Sequence, residues 1–312
     1  MEPERKIIGV GESILDIIFR NGQPVAAVPG GSSFNSIVSV GRADTYAMFV
    51  GFTGKDIVGQ QTVDFLHSNG VQTSYFKLLP GKKSAISLAF LDENGEATYS
   101  FYKEPFQAAL IPWILPHMFR GDILLYGSYY AASHEMRPLI KQLLDRAAKA
   151  HSIVYYDLNF RPNHRKELDS LMPNILENFS LSTIVRASIE DVEVVFSSRD
   201  VNYIYNVYIS RYCPYFICTA GAEKVIVFTP QGKYEFQVPP VSDIVSTVGA
   251  GDSFNAGLSC AILWKDTMRE DLRDLGHDGW QRFIAIACRF AADTCRSSEN
   301  YISRQFAQSF FP

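Results

Sequence analysis

The strongest chemical signal in the sequence is the segment Ser246-Thr247-Val248-Gly249-Ala250-Gly251-Asp252-Ser253-Phe254. It follows a strand-like stretch and opens a helical one. Gly249, Ala250 and Gly251 have almost no side chain, so their backbone N–H groups can approach an anion closely. At a helix N-terminus those groups also carry the positive end of the helix dipole. Asp252 adds a carboxylate at the same place. A carboxylate beside a bound anion is unfavourable unless it has a task. The natural task is general base, taking a proton from a hydroxyl that attacks phosphorus held by the amides. The plain alternative is a helix entry in which Asp252 caps the first turn.

Other residues suit the recognition of a neutral polyol. Asp16 and Asn35 supply hydrogen-bond acceptors and donors in pairs. Gly30 and Gly31 let the chain pass close to a ligand. Arg161 carries a planar fork that fits a hydroxyl or a phosphate. Each also has a plain reading, as a strand-end turn, a helix cap and a surface charge respectively. Gly9-Val10-Gly11 hints at a dinucleotide fingerprint, but Ile14 stands at the third glycine position and no helical pattern follows directly. The pattern GxxxxGK[ST] is absent, which argues against a P-loop nucleotidase.

The elements that must position these residues alternate. Strand-like runs are predicted at Lys6–Val10, Ala47–Val50, Ile123–Tyr126, Ile153–Tyr156, Thr183–Val185, Tyr215–Thr219 and Val225–Thr229. Helices are predicted at Asp56–Asn69, Arg137–Ala150, Leu168–Asn178, Glu190–Phe196, Ala250–Trp264 and Gly279–Cys295. This rhythm implies βαβ units, hence an α/β fold with a mostly parallel sheet and helices on both faces. Two hairpins break it. One joins Ser13–Phe19 to Pro24–Val28 around Asn21-Gly22. The other joins Ala85–Leu91 to Ala97–Tyr102 around Asp92-Glu93-Asn94-Gly95. No Pro/Gly/Ser-rich linker divides the chain. The expectation is one domain over 1–312, with a small sheet inserted at about residues 12–28 and 84–103.

The segment Gly249-Ala250-Gly251-Asp252-Ser253-Phe254 after Thr247 resembles the signature of the ribokinase-like (PfkB) sugar kinases. Five further segments resemble that family in its order: Gly9–Asp16, Pro29–Asn35 with its Gly-Gly-x-x-x-Asn, Val50–Asp56 with Gly59, Asp157-Leu158-Asn159-Phe160-Arg161 and Thr219-Ala220-Gly221. The resemblance runs from about residue 6 to about 303. It implies an ATP-dependent carbohydrate kinase of ribokinase-like fold, with the small sheet as a lid. It implies Asp252 as base and the amides of Gly249, Ala250 and Gly251 as the phosphoryl cradle. Asp16, Gly30, Gly31, Asn35, Lys103, Arg161 and Asp252 would bind sugar. Ser188, Thr219, Gly221, Thr247 and Gly251 would bind ATP, and Asp191 would act on Mg²⁺ through water.

Three positions depart from the family. Ser246 stands for the usual Asp, which removes a carboxylate that holds a monovalent cation in potassium-activated members. Ser188-Ile189-Glu190-Asp191 places Asp191 where a Glu is usual. Ala222 follows Gly221 where a second Gly is common. Phe101-Tyr102-Lys103 is similar to the Phe-Tyr-Arg of fructokinase-like members and, with Asp157–Arg161, points to fructose or a related hexose. 2-Keto-3-deoxygluconate, ribose and nucleosides are the alternatives. Tyr99, Phe101, Phe90 and Phe106 are expected as lid core.

Composition excludes other classes. The 312 residues are 47% hydrophobic with a formal charge of −4, so there is no bulk attraction for nucleic acid or anionic lipid. No apolar run reaches membrane-spanning length, and the polar start is not a signal peptide. The five cysteines form no CxxC pair and are expected as buried free thiols of a cytoplasmic protein. The expected partners are a small sugar and ATP, with a homodimer formed through apolar lid faces. The rival from another class is an inert sugar- or nucleotide-binding protein. Retention of Asp252 argues against it, since a binding module has no need of a base.

Overall fold

The computed structural model describes residues 4–91 and 97–310. In chain order its strands are β1 (Ile7–Val10), β2 (Ile14–Arg20), β3 (Gln23–Gly30), β4 (Ala47–Gly54), β5 (Val71–Gln72), β6 (Phe76–Leu79), β7 (Ile86–Leu91), β8 (Ala97–Tyr102), β9 (Ile123–Gly127), β10 (Ile153–Asp157), β11 (Ile184–Ser188), β12 (Tyr215–Ala220), β13 (Lys224–Thr229) and β14 (Gly232–Gln237). The large sheet runs β14-β13-β12-β11-β10-β9-β1-β4-β5, with β6 also on β4. From β12 to β5 its pairs are parallel.

The central strands are apolar on both faces because helices cover both. Ile7, Ile123 and Ile153 enter one core; their neighbours Ile8, Leu124 and Val154 enter the other. That near-continuous apolar run is what a doubly covered parallel strand requires. The first core lies under the helices Ser32–Arg42, Ala250–Trp264 and Gly276–Cys295. The second lies under Arg137–Lys149, Leu168–Leu181 and Ile189–Phe196.

The small sheet has the order β3-β2-β7-β8. The β2–β3 turn is Asn21-Gly22, both left-handed (φ 53° and 74°), as a tight hairpin turn needs. β2 pairs with β7 in parallel, which joins the two hairpins into one sheet. The expected turn Asp92–Gly95 lies outside the described residues.

The sheet is mostly parallel, as expected, with the edge pairs β12–β13 and β13–β14 antiparallel. Other expectations are corrected, and β14 is an additional edge strand. Its charged alternation Gly-Lys-Tyr-Glu-Phe-Gln buries only Phe236, too little for an apolar run to show. The helix from Leu168 continues to Leu181, and the last long helix begins at Gly276. Phe90 and Phe101 are not core: they are 42% and 51% exposed. Phe90 stacks on Phe19 across the β2–β7 pair, and Phe106 stacks on Phe52 of the main body instead.

Candidate active site

Loops after the C-terminal ends of the parallel strands form the site, the usual ligand position in such sheets. The helix Ala250–Trp264 starts there with Gly249 in the left-handed region (φ 80°). A side chain at Gly249 would bring its Cβ to 2.6 Å from the Asn300 carbonyl carbon. Ser253 N–H donates to the Gly249 carbonyl and Ala250 N–H to that of Thr247. No protein acceptor among the described residues meets the amides of Gly251 and Asp252 outside the helix. Two first-turn donors therefore remain free for an anion.

Asp252 is 8% exposed. Its Oδ1 accepts from Ser32 Oγ at 2.9 Å and its Oδ2 from Asn35 Nδ2 at 2.8 Å. Burial pushes its pKa up from 3.8 to about 6. The bonds from Asn35 and Ser32 and the charge of Arg161 pull it down, while Asp157 adds to the rise. A carboxylate near neutrality is poised to take a proton and give it up. This is more than a helix cap, since no backbone amide is bonded to it.

The sugar-side residues converge on Gly30. A Cβ there would lie 2.9 Å from Asp16 Oδ2 and 3.8 Å from Asn35 Oδ1. Asn35 Oδ1 is buried without a partner, although its amide nitrogen is bound to Asp252. A buried acceptor of this kind suits a donating hydroxyl. Asp16 accepts from Ser87 of β7, and burial raises its pKa. Gly31 has φ 130°, and a side chain there would strike the Glu12 carbonyl. Lys103 pairs with Glu12 at 3.2 Å, so its charge is not free. Arg161 is exposed, yet acts on Asp252.

On the other side, Ser188 and Asp191 form a capping box. Ser188 Oγ accepts from Asp191 N–H at 3.1 Å, and Asp191 Oδ2 accepts from Ser188 N–H at 2.8 Å. Thr219 Oγ1 accepts from Arg186, and Gly221 turns with φ 51°. Thr247 is exposed beside the helix start. No group of three or more His, Cys, Asp or Glu among the described residues forms a metal cage.

Sequence reasoning missed Ser32, Asn159, Arg186 and Asn255 as site residues. Arg186 is buried; its Nη1 donates to Asp157 at 3.1 Å and its Nη2 to Thr219 at 2.6 Å. It thereby spans the sugar and nucleotide sides. A Cβ on Gly251 would lie 3.2 Å from this guanidinium, so that position is tight for any side chain. Asn255 Nδ2 donates to Asp157 Oδ2 at 2.7 Å. The available signals were a charge inside the apolar run Ile184-Val185-Arg186-Ala187, and Asn255 one helical turn after Asp252.

The model of the pfkB family carbohydrate kinases matches residues 6–299. The chain belongs to this family. As a pfkB family member it is an ATP-dependent carbohydrate kinase. It is 28% identical over 264 residues to a fructokinase of Rhizobium leguminosarum bv. trifolii, covering 82% of this chain and 79% of that one. It is 24% identical over 262 residues to the aminoimidazole riboside kinase of Salmonella typhimurium, covering 83% and 81%. Its fold is similar to that of a fructokinase from Vibrio cholerae O395 in a fructose, ADP and calcium ion bound form, with a TM-score of 0.84, 20% identity and 99% of each chain covered. No helix among the described residues is long and apolar enough to cross a membrane.

Proposed function

We propose that this pfkB kinase phosphorylates the primary hydroxyl of fructose or a related hexose, with Asp252 as the general base. The observation that carries the reading is the buried Asp252 carboxylate, lifted to about 6 and set beside the two open amides of a helix N-terminus. Asp16, Asn35, Gly30 and Gly31 orient the sugar, with Asn35 Oδ1 accepting a hydroxyl. Asp252 takes the proton of the attacking hydroxyl as the new O–P bond forms. The free amides of Gly251 and Asp252, set by the Gly249–Ala250 turn before them, hold the transferring phosphoryl oxygens. Bound ATP supplies the phosphoryl group and its Mg²⁺ offsets the phosphate charge. Ser188, Thr219, Gly221 and Thr247 would border that nucleotide, and Asp191 would act on its Mg²⁺ through water.

We take the chain as a single α/β unit with its small sheet as a lid, inserted at about 12–28 and 84–103. Closure would exclude water and suppress wasteful hydrolysis. Val25, Phe90 and Tyr102, exposed on this sheet, support pairing with a second copy. ATP use and four buried free thiols support a cytoplasmic location. Lys103 is paired with Glu12, which weighs against an acidic substrate such as 2-keto-3-deoxygluconate. The aminoimidazole riboside kinase among the relatives keeps a riboside as the second reading.

The test is ATP turnover with a sugar panel that includes fructose, ribose, 2-keto-3-deoxygluconate and a nucleoside. Fructose should give the highest kcat/KM. A nucleoside or the keto acid in first place would overturn the hexose reading. Asp252→Asn should lose roughly two or more orders of magnitude in kcat; a variant that keeps most of the rate refutes the base.

A further inference from the structure

A strained residue lies behind the base. Asn159 has φ 33°, in the left-handed region, and is 7% exposed. Such a conformation costs a non-glycine residue free energy, and glycine would adopt it without strain. The side chain that this position retains has a definite use. Asn159 Nδ2 donates to Ser32 Oγ at 2.7 Å. Ser32 Oγ in turn donates to Asp252 Oδ1 at 2.9 Å.

The direction of this chain is set by its ends. An amide N–H₂ only donates, so Ser32 must accept from it. A carboxylate only accepts, so the single Ser32 proton goes to Asp252. Turning the Asn159 amide over would set its oxygen against Ser32 and draw that proton away from the base. Asn35 holds the other carboxylate oxygen from the same helix. Two donors on two oxygens stop the carboxylate from rotating, which leaves its remaining lone pairs in a fixed direction.

We propose that Ser32 and Asn159 are positioning residues that hold the Asp252 carboxylate in its reactive orientation and favour its ionised form. The proposal rests on the reading of Asp252 as base. Charges facing Asp252 are Asp157 on β10 and Arg161 just beyond it. Arg186 on β11 lies behind Gly251, and Asp16 on β2 approaches Asn35 across Gly30. Ser32 and Asn35 on their helix are neutral, and the helix Ala250–Trp264 carries no other charged side chain. No histidine is among these groups, and Asp16, which burial also raises, is the same in every variant, so a shift of the acid limb between a variant and wild type reports Asp252.

The experiment is kcat against pH with the best sugar of the panel and saturating ATP, for Ser32→Ala, Ser32→Thr and Asn159→Gly. Losing a donor to a charged acceptor should move the acid limb of Ser32→Ala up by about one pH unit. Its kcat should fall about tenfold or more at low pH, with KM for ATP unchanged. Ser32→Thr keeps the hydroxyl and should restore the limb. Asn159→Gly keeps the left-handed backbone accessible and should still fold, melting near wild type or somewhat below it as the buried bond to Ser32 is lost. It should nevertheless be slower, with a smaller move of the limb in the same direction. A Ser32→Ala limb that coincides with wild type, or an Asn159→Gly enzyme of full rate, overturns the proposal. Asp252→Asn in the same series separates the two readings. If it stays active, the base is wrong; if it is dead while Ser32→Ala and Asn159→Gly are normal, only the positioning is wrong.

Discussion

Asp252→Asn should make the protein more resistant to unfolding at high pH while stopping its chemistry. The carboxyl is almost fully buried and its pKa stands at about 6, against an ordinary 3.8. That difference is about two pH units, and each is about 1.4 kcal/mol, so the ionised carboxylate costs the folded state about 3 kcal/mol. The sign is opposite to that of a salt-bridged acid. Between about pH 4 and 6 the folded protein holds a proton that the unfolded chain has released, so stability falls as pH rises through that window. The asparagine variant has no such charge and should show no such fall at this site. It gives up one good acceptor for Ser32 or Asn35, a loss of about 1 kcal/mol. The net expectation is a gain of about 1–2 kcal/mol at pH 8 that becomes a small loss at pH 4.5. Urea unfolding of both proteins across that range measures it. If the two stability curves run parallel, the carboxyl is not raised and the argument fails.

Arg186→Met should lower stability by about 3–5 kcal/mol, because it removes the guanidinium partner of the buried Asp157; a denaturation loss under about 1 kcal/mol contradicts the buried pair. Gly249→Ala puts a Cβ against the Asn300 backbone at a left-handed position, and should cost about 2 kcal/mol or more and sharply weaken ATP binding in calorimetry. Glu12→Gln separates the exposed Lys103 pair, so unfolding should change by less than about 0.5 kcal/mol, while KM for an acidic sugar should fall as Lys103 is freed. Burial pushes the thiols of Cys213, Cys218 and Cys260 up to about 12 and that of Cys288 to about 11. A thiol reagent at pH 8 should therefore label the half-buried Cys295 first, the rest following only on unfolding.

Much of the site was legible because its residues sit in short contiguous segments. Gly249–Asp252 and Gly30–Asn35 each declare a backbone that must come close to something, and the structure brings Asn35 onto Asp252. The parallel core was legible in runs such as Ile123–Tyr126. What stayed hidden is long-range pairing. Arg186 draws its meaning from Asp157, 29 residues away, and Ser32 from Asp252, 220 residues away; periodicity within a window contains neither. Lys103 was legible as a charge near the sugar, but its partner Glu12 lies in the loop between β1 and β2, 91 residues earlier. Phe90 and Phe101 misled because they lie on opposite faces of the small sheet, Phe90 opposite Thr98 and Phe101 opposite Ser87, and neither face buries its ring.

The central place of β1 has a consequence for how the molecule comes into being. Ile7 pairs with Ala47 on one side and Ile123 on the other. Beside it, Lys6 is bonded to the buried Asp122, 116 residues ahead. A ribosome adds about 5–20 residues per second. Thus β1 can meet β4 early, but one of its edges stays open for on the order of ten seconds before β9 emerges. Non-local parallel pairing of this kind is slow in itself. During that interval an apolar Ile-Ile-Gly-Val strand with an unsatisfied edge is the segment most exposed to wrong partners, and production of the protein should depend on chaperones that shield its first fifty residues.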